Sequence, residues 1–119
     1  MSYDISLKDP VTTKEIVLDE IHQMKGGTYP VGGTKQAHLN ITYNYAPFYY
    51  SSLDTEKGIR KIYGMTGAES IPILKKGIQA LKDDISENYW DATEGNAKRA
   101  LYQLIALAEM RPDGIWDGD

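Results

Sequence analysis

The feature that most constrains this chain is a change of hydrophobic period near Ala46. Before it, residues 37–45 alternate, with Leu39, Ile41, Tyr43 and Tyr45 on one side and His38, Asn40, Thr42 and Asn44 on the other. A period of two belongs to a strand with one buried face. Beyond it, apolar residues recur at helical spacing, first as Ile71, Leu74, Ile78 and Leu81, then as Ala97, Leu101, Leu104, Ile105 and Ala108. Each set makes one stripe on an amphipathic helix. Strands grouped ahead of helices define an α+β chain rather than alternating βαβ units.

Two further strands are readable upstream. Tyr3, Ile5 and Leu7 alternate with polar residues, Asp9-Pro10-Val11-Thr12 makes a turn, and Glu15 to Ile21 resumes with Ile16 and Leu18 inward. Short or glycine-rich connections make these three segments an antiparallel meander with one wet face. On the helical side, Pro47 to Leu53 reads as a short helix with Pro in its first turn, and Lys57 to Gly64 as a link. Thr66-Gly67-Ala68-Glu69 has capping-box spacing. The last helix opens with Asp91 or Thr93 as its cap, carries Arg111 in its final turn and stops at Pro112-Asp113-Gly114. Ile115 and Trp116 then tuck back. The expectation is a single domain over 1–119, in two layers: a three-stranded antiparallel sheet with one face covered by two to three helices.

Composition narrows function mainly by exclusion. A net charge of −4 argues against a phosphate-backbone binder, so nucleic acid is not expected as a partner. With no cysteine there is no disulfide, thiolate nucleophile or zinc–thiolate site, in keeping with a reducing cytoplasm. No segment reads as a signal peptide or a membrane span, so Asn40-Ile41-Thr42 is not expected to be glycosylated. Nine Tyr and two Trp against one Phe is a choice favoured at interfaces, where an apolar body carries a polar tip.

The candidate chemistry gathers around Lys25-Gly26-Gly27-Thr28-Tyr29-Pro30-Val31-Gly32-Gly33-Thr34-Lys35. Glycine pairs let backbone approach a partner closely, and two lysines flank them. The spacing matches neither a P-loop nor a dinucleotide fingerprint, and a strand-to-strand loop lacks the helix N-terminus those sites use. His22 and His38, on either side of the loop, lack a third ligand for a metal. Glu69 and Glu94 stand at helix starts, where capping explains them. No nucleophile-elbow pattern surrounds Ser51, Ser52 or Ser70. Among the aromatics, Tyr49 and Tyr50 are adjacent, so a helix cannot turn both inward, and Tyr89-Trp90 forms a second such pair.

Several stretches together carry a resemblance: Lys25 to Tyr29, Leu39 to Tyr45, Tyr63 to Pro72, and Trp90 to Ala97. Along nearly its whole length the chain resembles a family of small uncharacterised proteins carried by phages, prophages and integrative elements of Gram-positive bacteria. The resemblance carries no catalytic motif. It implies an accessory protein acting in the bacterial cytoplasm, of a kind that binds a host factor, including a defence system.

The resulting expectation is a non-enzymatic binding protein without metal or cofactor. Its surface would comprise Gly26, Gly27, Thr28, Tyr29, Gly32, Gly33 and Thr34, the strand residues His38, Asn40, Thr42 and Asn44, and the aromatics Tyr49, Tyr50 and Trp90. A host or phage protein is the expected partner, with a homodimer as a further option. The alternative is a small-ligand or nucleotide-binding protein, or a minor enzyme, with Lys25, Thr28, Thr34, His38, Asn40, Thr42 and Asn44 converging on one pocket.

Overall fold

A computed structural model describes residues 1–119. Tyr3, Ile5 and Leu7 are buried, as their alternation requires, and form the inner face of β1 (Ser2–Lys8). This strand is the centre of a three-stranded antiparallel sheet, between β4 (His38–Thr42) and β5 (Ile115–Gly118). Ser2 stands opposite Thr42 and Asp4 opposite Asn40; on the other edge Leu7 stands opposite Trp116. The α+β class and the three-stranded antiparallel sheet agree with the sequence pattern.

The composition of the sheet corrects the expected meander. The turn after β1 is tight, with Asp9 Oδ1 accepting from Val11 N–H at 2.8 Å and Thr12 N–H at 3.0 Å. The returning chain reaches β1 only at one bridge, Lys8 to Glu15, and at Ile16, whose N–H donates to the Leu7 carbonyl at 2.9 Å. Ala37 then takes over, accepting from Leu7 N–H at 2.9 Å and donating to the Ile16 carbonyl at 3.0 Å. The second strand is thereby displaced, and β2 (Val17–His22) pairs with β3 (Thr34–Gln36) in a separate two-stranded sheet. The vacated edge of β1 is filled by β4, while Ile115 and Trp116 tuck back as a full strand on the other edge. Trp116 is buried, its indole N–H donating to Ser70 Oγ at 2.7 Å.

Alternation also runs out sooner than expected. Thr42 Oγ1 accepts from Asn44 N–H at 3.2 Å and caps a 3₁₀ turn at Tyr43–Tyr45, which leads into α1 (Ala46–Ser52) with Pro47 in its first turn. Tyr45 still enters the core, but from a turn rather than a strand. The link at Gly58–Ile62 is a second 3₁₀ turn.

The two long helices follow their sequence signals. In α2 (Gly67–Ala80) both halves of the capping box form: Glu69 N–H donates to Thr66 Oγ1 at 3.1 Å, and Thr66 N–H donates to Glu69 Oε1 at 2.9 Å. Leu74 and Ile78 of its stripe are buried, as is Leu81 just beyond the helix, and Ile71 is half-buried. For α3 (Glu94–Met110) the cap is Thr93, whose side chain accepts from Asn96 N–H at 3.1 Å. Ala97, Leu101, Leu104, Ile105 and Ala108 are all buried. Together with the inner faces of β1, β4 and β5 and with Tyr49 of α1, these helices enclose one continuous hydrophobic cluster.

Candidate functional site

The connection between β2 and β3 has two parts with different roles. Its first part is anchored. Lys25 N–H donates to Gln103 Oε1 of α3 at 2.8 Å, and Gln103 Nε2 donates back to the Lys25 carbonyl at 3.1 Å. Gly26 then lies so close to the Asn40 main chain that a Cβ would overlap the Asn40 carbonyl oxygen. Gly27 N–H donates to that carbonyl at 3.1 Å, and Thr28 N–H donates to Asn40 Oδ1 at 3.2 Å. A Cβ on Gly27 would stand 2.9 Å from Cη2 of Trp90. Gly26 and Gly27 do allow close backbone approach, as their pairing suggests, but the backbone approached is the protein's own β4.

This docking corrects the expectation of a free polar strand face. Asn40 and Thr42 are buried. Asn40 Nδ2 donates to Ser2 Oγ and to Asp4 Oδ1, both at 2.7 Å, so the amide joins β4 to β1 as well as to the loop. Thr42 N–H donates to the Tyr89 hydroxyl at 3.0 Å, and that hydroxyl donates to the Asn40 carbonyl at 3.3 Å. The outer edge of β4 is thus covered by Gly27 and Tyr89, a common way to protect an edge strand. His38 is half-buried, with Nε2 3.6 Å from Asp4 Oδ1. Asn44 is exposed, and its Nδ2 donates to the Trp90 carbonyl at 2.9 Å.

The second part of the connection projects outward. Tyr29 is 50% exposed and Val31 99%. Gly33 N–H donates to the Pro30 carbonyl at 3.1 Å, closing a four-residue turn with Gly32 at φ 88° in third place. A left-handed third residue is what a type II turn requires, and glycine meets it without strain. Thr34 Oγ1 accepts from Gln36 N–H at 3.1 Å as β3 begins. Lys25 Nζ sits 5.8 Å from the centre of the Tyr29 ring, a cation–π distance.

The aromatic pairs separate as the helical argument requires. Tyr49 is fully buried and its hydroxyl donates to the Ala97 carbonyl at 2.9 Å, so it is a core residue; Tyr50 is half-buried against Gly58. Tyr89 packs edge-on against Trp90 with ring centres 5.0 Å apart, leaving Trp90 50% exposed. The Tyr45 hydroxyl donates to the Tyr89 carbonyl, fixing this pair to the core. Burial raises the phenols of Tyr45, Tyr49 and Tyr89 above their ordinary value, so they serve as neutral hydrogen-bonding groups.

The residues named for a single ligand pocket do not line the three principal clefts. These lie between β2 and the end of α3, between α1 and α2, and beside the Asp9 turn. His22 is engaged separately, with Nε2–H donating to the Gln36 carbonyl at 2.6 Å and Nδ1 accepting from Met24 N–H at 3.3 Å. Two contributors to the site carried no local signal: Gln103, a polar residue beside the buried stripe of α3, and Asp4, an outward residue of β1. Comparisons of the chain with protein-family models, curated proteins and solved structures found no match.

Proposed function

We propose that this chain is a non-enzymatic binding protein of a phage or mobile element that contacts a host protein, with a host-defence component as the favoured class of target. The observation that carries the binding role is the exposure of Tyr29, Val31 and Trp90 on loops whose backbone is held at Lys25 by Gln103, at Thr28 by Asn40 and at Trp90 by Asn44. Exposed aromatic and aliphatic anchors lose little entropy on binding when their backbone is already ordered. The mobile-element context draws its support from the sequence resemblance. In this reading the glycine loop acts in two ways, with Gly26 and Gly27 fixing its base and Gly32 and Gly33 turning its tip.

The test is affinity capture from lysate of a Gram-positive host, comparing the wild type with a Tyr29→Ala, Val31→Ala, Trp90→Ala triple variant of matched circular dichroism. A stoichiometric host protein should be retained by the wild type and lost by the variant. Retention by both removes the loop tip from the contact, and recovery of no partner by the wild type removes the proposal.

A further inference from the structure

We propose a second interaction surface: the open edge of β2, with the last turn of α3, receives an extended peptide carrying basic residues, which adds to β2 as a strand. A groove of about 360 Å³ runs here, lined by Val17 to His22 without a gap and by Met110 and Arg111. A groove facing one side of a strand would meet alternate residues. Consecutive lining means that it faces the strand's edge, where main-chain donors and acceptors lie. β2 has β3 as its only sheet neighbour, and the two register pairs between them, Val17 to Gln36 and His22 to Thr34, leave the middle of β2 outside a regular ladder.

The side chains identify the occupant. Val17 is 67% exposed, Ile21 60% and Met110 49%, providing apolar contacts along the groove. Between them Asp19 and Glu20 are exposed, and neither belongs to an ion pair. The cation of the groove, Arg111, is already matched: it lies 2.9 Å from Asp113 Oδ2 and 3.6 Å from Asp9 Oδ2. The uncompensated charge is therefore negative, at mid-strand. A second copy pairing antiparallel through β2 about a two-fold centred on Asp19 or on Glu20 would set that carboxylate against its own copy, and directly opposed like charges destabilise a strand pair. A partner strand with apolar residues opposite Ile21 and Val17 and two consecutive basic residues opposite Glu20 and Asp19 meets both the hydrophobes and the carboxylates, by the strand addition that β-augmentation uses. The six residues of β2 offer about 20 Å of edge, the length of an ordinary strand.

The experiment uses the full chain and three fluorescent octapeptides: a Val-Lys peptide of sequence Val-Lys-Lys-Val-Val-Lys-Lys-Val, its Val-Glu counterpart with Glu for each Lys, and the Val-Lys peptide with alternate backbone nitrogens methylated. Anisotropy titrations at low salt should show the Val-Lys peptide binding at least about tenfold more tightly than either of the others. Amide shift changes should map to β2 and Met110, and Asp19→Lys with Glu20→Lys should reverse the preference between the Lys and Glu peptides. Absence of Val-Lys binding, equal affinity for both charge types, or affinity unmoved by the reversal in a protein of unchanged circular dichroism overturns the proposal. So does a wild-type dimer in sedimentation that Ile21→Lys dissociates, since a second copy would then fill the groove.

Discussion

Gln103 grips the main chain of Lys25 with both ends of its amide, across 78 positions of sequence. This pair sets where the glycine loop starts and ties it to the helix whose opposite side is core. Gln103→Met keeps the side-chain length and loses both hydrogen bonds, at an expected cost of about 1–2 kcal/mol. Amide exchange from Lys25 to Thr28 should accelerate more in the variant than that of β1, which follows only the loss of global stability. Unchanged exchange in the loop would mean that Asn40 alone is sufficient to hold it.

Gly26 and Gly32 should respond differently to the same change. At Gly26 a methyl group meets the Asn40 carbonyl, and backbone cannot step aside as a side-chain tip can. Gly26→Ala should therefore cost about 1–3 kcal/mol from overpacking. At Gly32 nothing lies within 4 Å, so Gly32→Ala meets only the strain of φ 88°, about 1–2 kcal/mol. Urea unfolding should also show that Gly26→Ala weakens the coupling between loop and β4, measured by a cycle with Asn40→Ala, whereas Gly32→Ala does not.

The two asparagines of β4 and its following turn should likewise part company. Asn40→Ala removes two donated bonds, to Ser2 and Asp4, and the acceptor of Thr28 N–H, all at a buried position. A loss of about 2–4 kcal/mol is expected. Asn44→Ala removes one exposed bond to the Trp90 carbonyl and should cost under about 1 kcal/mol. Equal losses in thermal unfolding would contradict the placement of Asn40 beneath the loop.

These contrasts mark what was legible in the sequence. Both long helices, their caps and the inner face of β1 were readable because period and capping are local. The sheet's membership was not, since a strand's partner is chosen by long-range contacts such as Ala37 with Leu7 and Ile16, which no spacing encodes. The same limit applied at the site. Gly26 and Gly27 were recognisable as points of close approach, but what they approach, the Asn40 main chain, depends on where Gln103 holds Lys25. The polar alternation of Asn40 and Thr42 looked like solvent contact, yet a polar residue that meets a loop backbone is as well satisfied as one that meets water.

Glu69 provides an acid-side test of the capping box. Its carboxyl lies below the ordinary 4.5 because it accepts from Thr66 N–H, so the fold favours the ionised form. A depressed carboxyl contributes stability that is present above its ordinary value and lost as pH falls through its value in the fold. The stability gap between wild type and Glu69→Gln should be widest above pH 4.5 and close on further acidification. Carbon-detected titration of Glu69 should place its midpoint below 4.5; a midpoint at or above it means the box is open in solution.

At the alkaline end, five of the nine tyrosines resist ionisation: Tyr3, Tyr45, Tyr49, Tyr63 and Tyr89 are all raised above 10.0, with burial the leading cause in each. The fold holds their neutral forms, so their contribution is fully present below 10.0 and is lost as pH climbs from there toward the higher values in the fold. Absorbance of the phenolate band should therefore rise in two stages, the second coinciding with loss of helical circular dichroism. Tyr49→Phe should shorten that second stage but also destabilise the protein at neutral pH, because the Ala97 carbonyl loses its buried donor. Tyr63→Phe, at a half-buried site, separates the two effects: it removes one late-ionising phenol with a smaller neutral-pH cost. A single-stage titration of all nine phenols below the unfolding transition would mean that Tyr45, Tyr49 and Tyr89 are not packed together between α1, α3 and the edge of β4.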